Sequence, residues 1–136
     1  MSIPDSHRDL FDNPICGILT TVDPNGQPQN SVIWCGYDGE HVLVNTAEGR
    51  KKDRNVRNNP KVALIVVDPK DEMRWIDVRG YVEHIDHDAD CSHIDLLAKQ
   101  YSGYPSFFGY AAPAEAQATQ KRIIFRIKPE KVVTLG

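Results

Sequence analysis

VLVNTAEGRKKDRNVRNNP, residues 42–60, is the stretch on which the reading of this chain turns. An apolar run, Val42-Leu43-Val44, leads into polar Asn45 and Thr46, then Gly49, then a burst of positive charge. Arg50, Lys51, Lys52, Arg54 and Arg57 put five basic residues into eight positions of a chain whose net charge is −3. A strand that delivers a cationic helix start is a place to hold a phosphate. Its first-turn N–H groups, the positive end of the helix dipole and the nearby Lys and Arg side chains all favour an anion. Taken alone, the stretch fits equally a solvated basic helix face, which is what most charge runs are. Helix geometry narrows the choice of ligands. Arg50, Arg54 and Arg57 follow an i, i+4, i+7 face and cannot all meet one phosphate, whereas Arg50 to Lys52 sit in the first turn.

Strand signals surround this stretch. Asp23-Pro24-Asn25-Gly26 and Asp38-Gly39 are reversal signals, and they predict strands over residues 15–22, 29–35 and 41–46. Asn59-Pro60 ends the basic helix, predicted over 48–58. A strand over 61–68 follows, apolar at every position from Val62 to Val67, so both of its faces need a cover. A barrel core supplies one cover; a helix or a second subunit must supply the other. A long strand over 73–85 carries Gly80 as a bulge or bend. Asp86, Asp88 and Asp90 open a helix expected to run to residue 101. An aromatic loop over 102–113, a short helix over 114–120 and a last strand over 123–135, interrupted at Lys128-Pro129-Glu130, complete the chain. A short helix is expected over 5–11. Six strands with hairpin turns and few helices predict a mainly β fold, a six-stranded antiparallel barrel with helical insertions, formed by residues 1–136 as one domain.

Composition excludes several classes. The 136 residues are 40% apolar, enough for a core, and the net negative charge argues against nucleic acid or an anionic membrane as the standing partner. Cys16, Cys35 and Cys91 are odd in number, far apart and free of any C-x-x-C spacing, so they read as reduced thiols. No signal core and no run of about 20 apolar residues occurs, which predicts a cytoplasmic protein with no membrane span.

Several segments in this order resemble the FMN-binding split-barrel superfamily, the fold of pyridoxamine 5′-phosphate oxidases. They are Ile18-Leu19-Thr20-Thr21-Val22-Asp23-Pro24-Asn25-Gly26-Gln27-Pro28, Val42-Leu43-Val44-Asn45-Thr46, Gly49-Arg50-Lys51-Lys52-Asp53-Arg54-Asn55, Pro60 and Val78-Arg79-Gly80 before Val82-Glu83. The order strand, Asn-Thr, then G-R-x-K-x-R-N and Pro is most similar to the branch that uses the deazaflavin coenzyme F420. The resemblance implies a homodimer with the cofactor at the subunit interface. It implies a ring along the second strand, at Asn30, Ser31, Val32 and Ile33. It implies a phosphate held by Arg50, Lys51 and Lys52 beside Asn45 and Thr46, with Trp75 and Ile76 near the ring from one subunit or the other. The expected activity is hydride transfer between reduced F420 and an unsaturated small-molecule substrate. FMN, which also ends in one phosphate, is the alternative cofactor, and a flavin-type binding module without turnover is a third reading. Lys and Arg in excess of one phosphate's needs lean toward F420, and Asp53 weakens that lean.

Other chemistries are less well supported. His84, His87, Cys91 and His93, with interleaved aspartates, carry competent metal ligands, but H-x-x-H on a strand does not put both rings on one face. The segment reads as an acidic helix entrance, and no metal is expected. Cys35 has no neighbour that would activate it, and Ser31 lacks a G-x-S-x-G frame. Tyr104, Phe107, Phe108 and Tyr110 read as a plug of the loop onto the barrel. No catalytic side chain is assigned, since a redox cofactor carries its own chemistry.

Overall fold

The computed structural model describes residues 1–136. Seven strands form one antiparallel sheet: β1 (Gly17–Val22), β2 (Pro28–Ile33), β3 (Cys35–Tyr37), β4 (Val42–Ala47), β5 (Lys61–Asp68), β6 (Asp71–His87) and β7 (Arg122–Leu135). The helices are α1 (Asp9–Asp12), α2 (Lys51–Asn58) and α3 (Ser92–Ser102), with 3₁₀ turns at Asp5–His7 and Ala114–Ala118. No helix is long and apolar enough to cross a membrane.

The strand order is β2-β1-β5-β6-β7-β4-β3. The two edge strands, β2 and β3, are therefore neighbours in sequence, separated by Trp34 alone. One residue can join two edges only if the sheet curls until they nearly meet, and this makes the barrel a split one. The expected single strand over 29–35 is corrected here to two, which raises the count from six to seven. Tyr101 of α3 holds the join. Its ring stacks on Trp34 with centroids 5.3 Å apart, its hydroxyl accepts the Cys35 N–H at 3.1 Å, and it lies 2.9 Å from the carbonyl oxygens of both Ile15 and Cys35.

Inside the curl, Val62, Leu64 and Val66 of β5 pack with Ile76 and Val78 of β6, Ile123, Phe125 and Ile127 of β7, and Val42 and Val44 of β4. Leu10 and Phe11 close the core from the N-terminal segment. Each such side chain contributes roughly 1.5–3 kcal/mol by burial. Gly80 marks a register shift between β6 and β7, where a Cβ would stand 2.0 Å from the Lys128 carbonyl oxygen. Pro129, which has no N–H to donate, falls opposite Gly80, so β7 runs through the segment expected to interrupt it.

The opposite face of the sheet is also apolar. Val32, Ile18, Ile65, Asp77 and Val133 lie in one cross-strand row, and Val67, Trp75 and Leu135 in the next row on that face. Val32 is 72% exposed and Ile18 41%.

Candidate functional site

A cavity of about 230 Å³ opens at the split in the barrel. β2 contributes Val32 and Ile33, the join contributes Trp34, β4 contributes Asn45 and Thr46, and the start of α2 contributes Arg50 and Lys52. Ile94 and Leu97 of α3, Phe107 and Arg122 complete the wall. One end is thus apolar and aromatic, and the other is cationic.

The cationic end follows from local structure. Gly49, at φ +89°, turns the chain out of β4, and Arg50 takes the N-cap position of α2 with no side-chain cap. The first N–H groups of an uncapped helix have no intrahelical partner. Asp53, nearly fully buried, accepts the Gly49 N–H at 2.8 Å and the Arg57 Nε–H at 2.8 Å, so its charge is neutralised away from the cavity. Arg57 is paired with Asp53 and Glu48. Asn55 is a packing residue, donating to Thr21 and Asp23 of the neighbouring hairpin.

No carboxylate or imidazole lines the cavity. Burial, then Arg50 and Arg122, push the Lys52 ammonium below its ordinary range. Burial, then Arg50, push the Arg122 guanidinium down to about 10. Lys52 and Arg122, withdrawn from water, thus converge with the exposed Arg50 where there is too little opposing charge. The Thr46 hydroxyl, 1% exposed on the same wall, has no hydrogen-bond partner in the chain. A buried hydroxyl without a partner costs about 1–3 kcal/mol, so this atom is a vacant donor or acceptor beside a cationic well. An anion carrying several oxygens fits both.

Behind the wall, Arg122 Nε donates to Asn45 Oδ1 at 3.0 Å, and its Nη1 donates to Gln120 at 3.0 Å. The guanidinium lies over the Phe107 ring, 4.8 Å from its centroid. The Asn45 amide NH₂ lies 3.0 Å from Asp88 Oδ2 and 2.9 Å from His93 Nδ1. Asp88 also accepts the backbone N–H groups of His93 and Ile94, serving as the anionic cap of α3. Burial pushes the His93 imidazole below its usual range, so Nδ1 is free to accept from Asn45.

Six of the eleven expected site residues meet at this cavity: Val32, Ile33, Asn45, Thr46, Arg50 and Lys52. Five do not. Lys51 is turned toward Asp23, 3.2 Å away, and lies outside the cavity. Ile76 is fully buried in the core and offers no side chain to a ligand. Trp75 lies on the outer face of the sheet, outside the cavity. Asn30 is exposed and accepts the Thr20 hydroxyl at 2.6 Å, and Ser31 pairs with Leu19 across the strands. Four consecutive strand residues cannot all present side chains to one ring, because alternate ones face opposite ways. Cys35 is fully buried with its thiol pushed up to about 12 by burial, which fits an inert thiol. Sequence reasoning missed Arg122, a lone arginine 70 positions beyond Lys52 whose only signal is the register of β7 against β4 (Ala47 opposite Arg122).

A curled antiparallel sheet with a cationic, half-apolar cavity at its split defines a split-barrel protein of the flavin-type cofactor-binding class. The chain belongs to the pyridoxamine 5′-phosphate oxidase family, whose profile matches residues 3–136. This is an oxidoreductase family that binds flavin-type cofactors. The fold is similar to that of an F420 reductase at 32% identity and TM-score 0.83, covering 96% of this chain and 98% of that one. It is also similar to a conserved hypothetical protein of Mycobacterium tuberculosis, at 22% identity and TM-score 0.74, with 98% and 84% of the two chains covered. A pyridoxine/pyridoxamine 5′-phosphate oxidase of Citrobacter koseri is 35% identical over 54 residues. That match covers 39% of this chain and 25% of the oxidase's length.

Proposed function

We propose that this protein is an F420-dependent oxidoreductase that transfers a hydride to an unsaturated organic substrate. The observation that carries the reading is the pairing of the unpartnered, buried Thr46 hydroxyl with the uncompensated Arg50, Lys52 and Arg122 cluster. These four side chains would hold the phosphate of the cofactor. When bound, a reduced deazaflavin supplies the hydride. The chain's part is to place the ring against Val32 and Trp34 and to exclude water with Ile94, Leu97 and Phe107. No acid–base side chain lines the cavity, which fits a reaction whose proton comes from solvent or substrate.

Two observations support a homodimer with the cofactor at the interface. The cavity of about 230 Å³ is below the ~300–1,000 Å³ of ordinary small-molecule pockets, so one subunit supplies part of a site. Val32 belongs both to the cavity wall and to the apolar outer face, so a partner seated on that face would close the cavity.

FMN is the second reading, favoured by the Citrobacter koseri oxidase match. Asp53, the residue that weakened the lean toward F420, is tied to Gly49 and Arg57, and this favours the first reading. Fluorescence titration of the cofactor-free protein with F420 and with FMN separates them. Tighter binding of F420, with reoxidation of its reduced form by an enone or quinone, is expected. A wide preference for FMN would overturn F420 in its favour, and tight F420 binding without turnover would leave a carrier. Arg50→Ala and Lys52→Ala should each cost about 1.5–3 kcal/mol of binding.

A further inference from the structure

Away from the cavity, three candidate ligands converge where β4 begins and β6 bulges. His41 is 6% exposed, just ahead of β4. Glu83 and His84 are adjacent in β6, and adjacent strand residues ordinarily point to opposite faces. Here they do not. The β6–β7 register runs from Val82 opposite Ile127 to His84 opposite Arg126, which leaves Glu83 as an extra residue. A bulge of this kind re-aims side chains. As a result Glu83 Oε1 stands 3.2 Å from His84 Nε2 and 3.4 Å from His41 Nε2, and all three ligand atoms lie within 4.8 Å of one another.

We propose that His41, Glu83 and His84 form a binding site for a divalent transition-metal ion, with Zn²⁺ as the occupant. Two imidazoles and one carboxylate are a ligand set suited to Zn²⁺, with water in the fourth position. Two ligands each ~2.0–2.1 Å from a tetrahedral ion are themselves about 3.3 Å apart, which matches both glutamate–histidine separations. The carboxylate has an orienting partner of the kind metal ligands have, because the Tyr81 hydroxyl donates to its other oxygen, Oε2, at 3.2 Å. Arg126, the cross-strand partner of His84, is engaged by Asp86 and Asp38. The bound ion would pin the entry of β4 to β6 across the sheet.

This set differs from the His84, His87, Cys91 and His93 constellation of the sequence, which does not assemble: Cys91 lies beside Gln117 and His93 beside Asn45. Calorimetry of the full chain with ZnCl₂ tests the site, with visible absorption of the Co²⁺ complex as the geometric probe. One ion per chain and a rise in Tm on adding Zn²⁺ are expected. His84→Ala and Glu83→Gln should each weaken binding at least about tenfold, while His87→Ala leaves it unchanged. Both ligand substitutions fall outside the fully buried core, so folding is retained. Absence of uptake by the unmodified chain, uptake indifferent to His84→Ala, or uptake abolished by His87→Ala would each overturn the assignment.

Discussion

Arg122 at the start of β7 and Asn45 within β4 are joined by a hydrogen bond of 3.0 Å across 77 positions of sequence. Asn45 in turn reaches Asp88 and His93, so the cation at the mouth of the site is positioned by a buried polar chain rather than by an ion pair. Removing the middle of that chain should loosen the guanidinium while leaving it charged. Asn45→Ala is expected to weaken cofactor binding by about 0.5–1.5 kcal/mol, read by fluorescence titration, with Arg122→Met costing more because it removes the charge itself.

Thr46 provides a test with opposite signs in two measurements. Thr46→Val removes a buried hydroxyl that has no partner in the free protein. Free-state stability in urea should therefore hold or rise, by up to about 1 kcal/mol, while cofactor affinity falls roughly three- to tenfold. Equal losses in both would mark Thr46 as a packing residue only.

The His93 imidazole is held below its ordinary range, chiefly by burial. The unfolded chain therefore takes up a proton at a higher pH than the folded one. Stability contributed by neutral His93 is complete above about pH 6.5 and is lost as pH falls through and below that value. Urea midpoints measured from about pH 7.5 down to 5.5 should decline, and His93→Gln should flatten part of that decline.

Gly80→Ala should be among the most damaging single-methyl changes in the chain. Its Cβ would meet a backbone oxygen, Lys128 O, at 2.0 Å, and a backbone atom cannot swing aside as a side-chain end does. A cost of about 3 kcal/mol or more is expected, read as a lowered urea midpoint.

Val32→Asp places a charge at the β2 end of the outer row that continues through Ile18 and Ile65. If that row seats a second subunit, sedimentation should show the variant as a monomer and the parent as a dimer, with cofactor affinity falling alongside.

Much of this architecture was legible in the residues. The strand over Lys61–Asp68 coincides with its expected span, because an unbroken apolar run bounded by Pro60 and Pro69 leaves few alternatives. The basic turn after β4 was equally readable, since Gly49 and the run of charge are local signals. The break at Trp34 was not. No glycine or proline marks it, and what ends β2 is the stacking of Trp34 on Tyr101, 67 positions away. The acidic helix starts later than its sequence signals imply, at Ser92. Asp86 and His87 remain in β6 because Ile124 and Ile123 of β7 pair with them, and a partner strand outweighs helix-start propensity. Arg122 belongs to the same class: its role arises from strand register, which no local window contains.

The single-residue passage from β2 to β3 leaves no slack where the two margins of the sheet approach. Extra residues inserted at Trp34 would let the margins part and would carry the aromatic ring off Tyr101. Tolerance for added length should lie instead in the segment between α3 and β7, so it is there that a protein engineer would graft a new lid, tag or specificity loop.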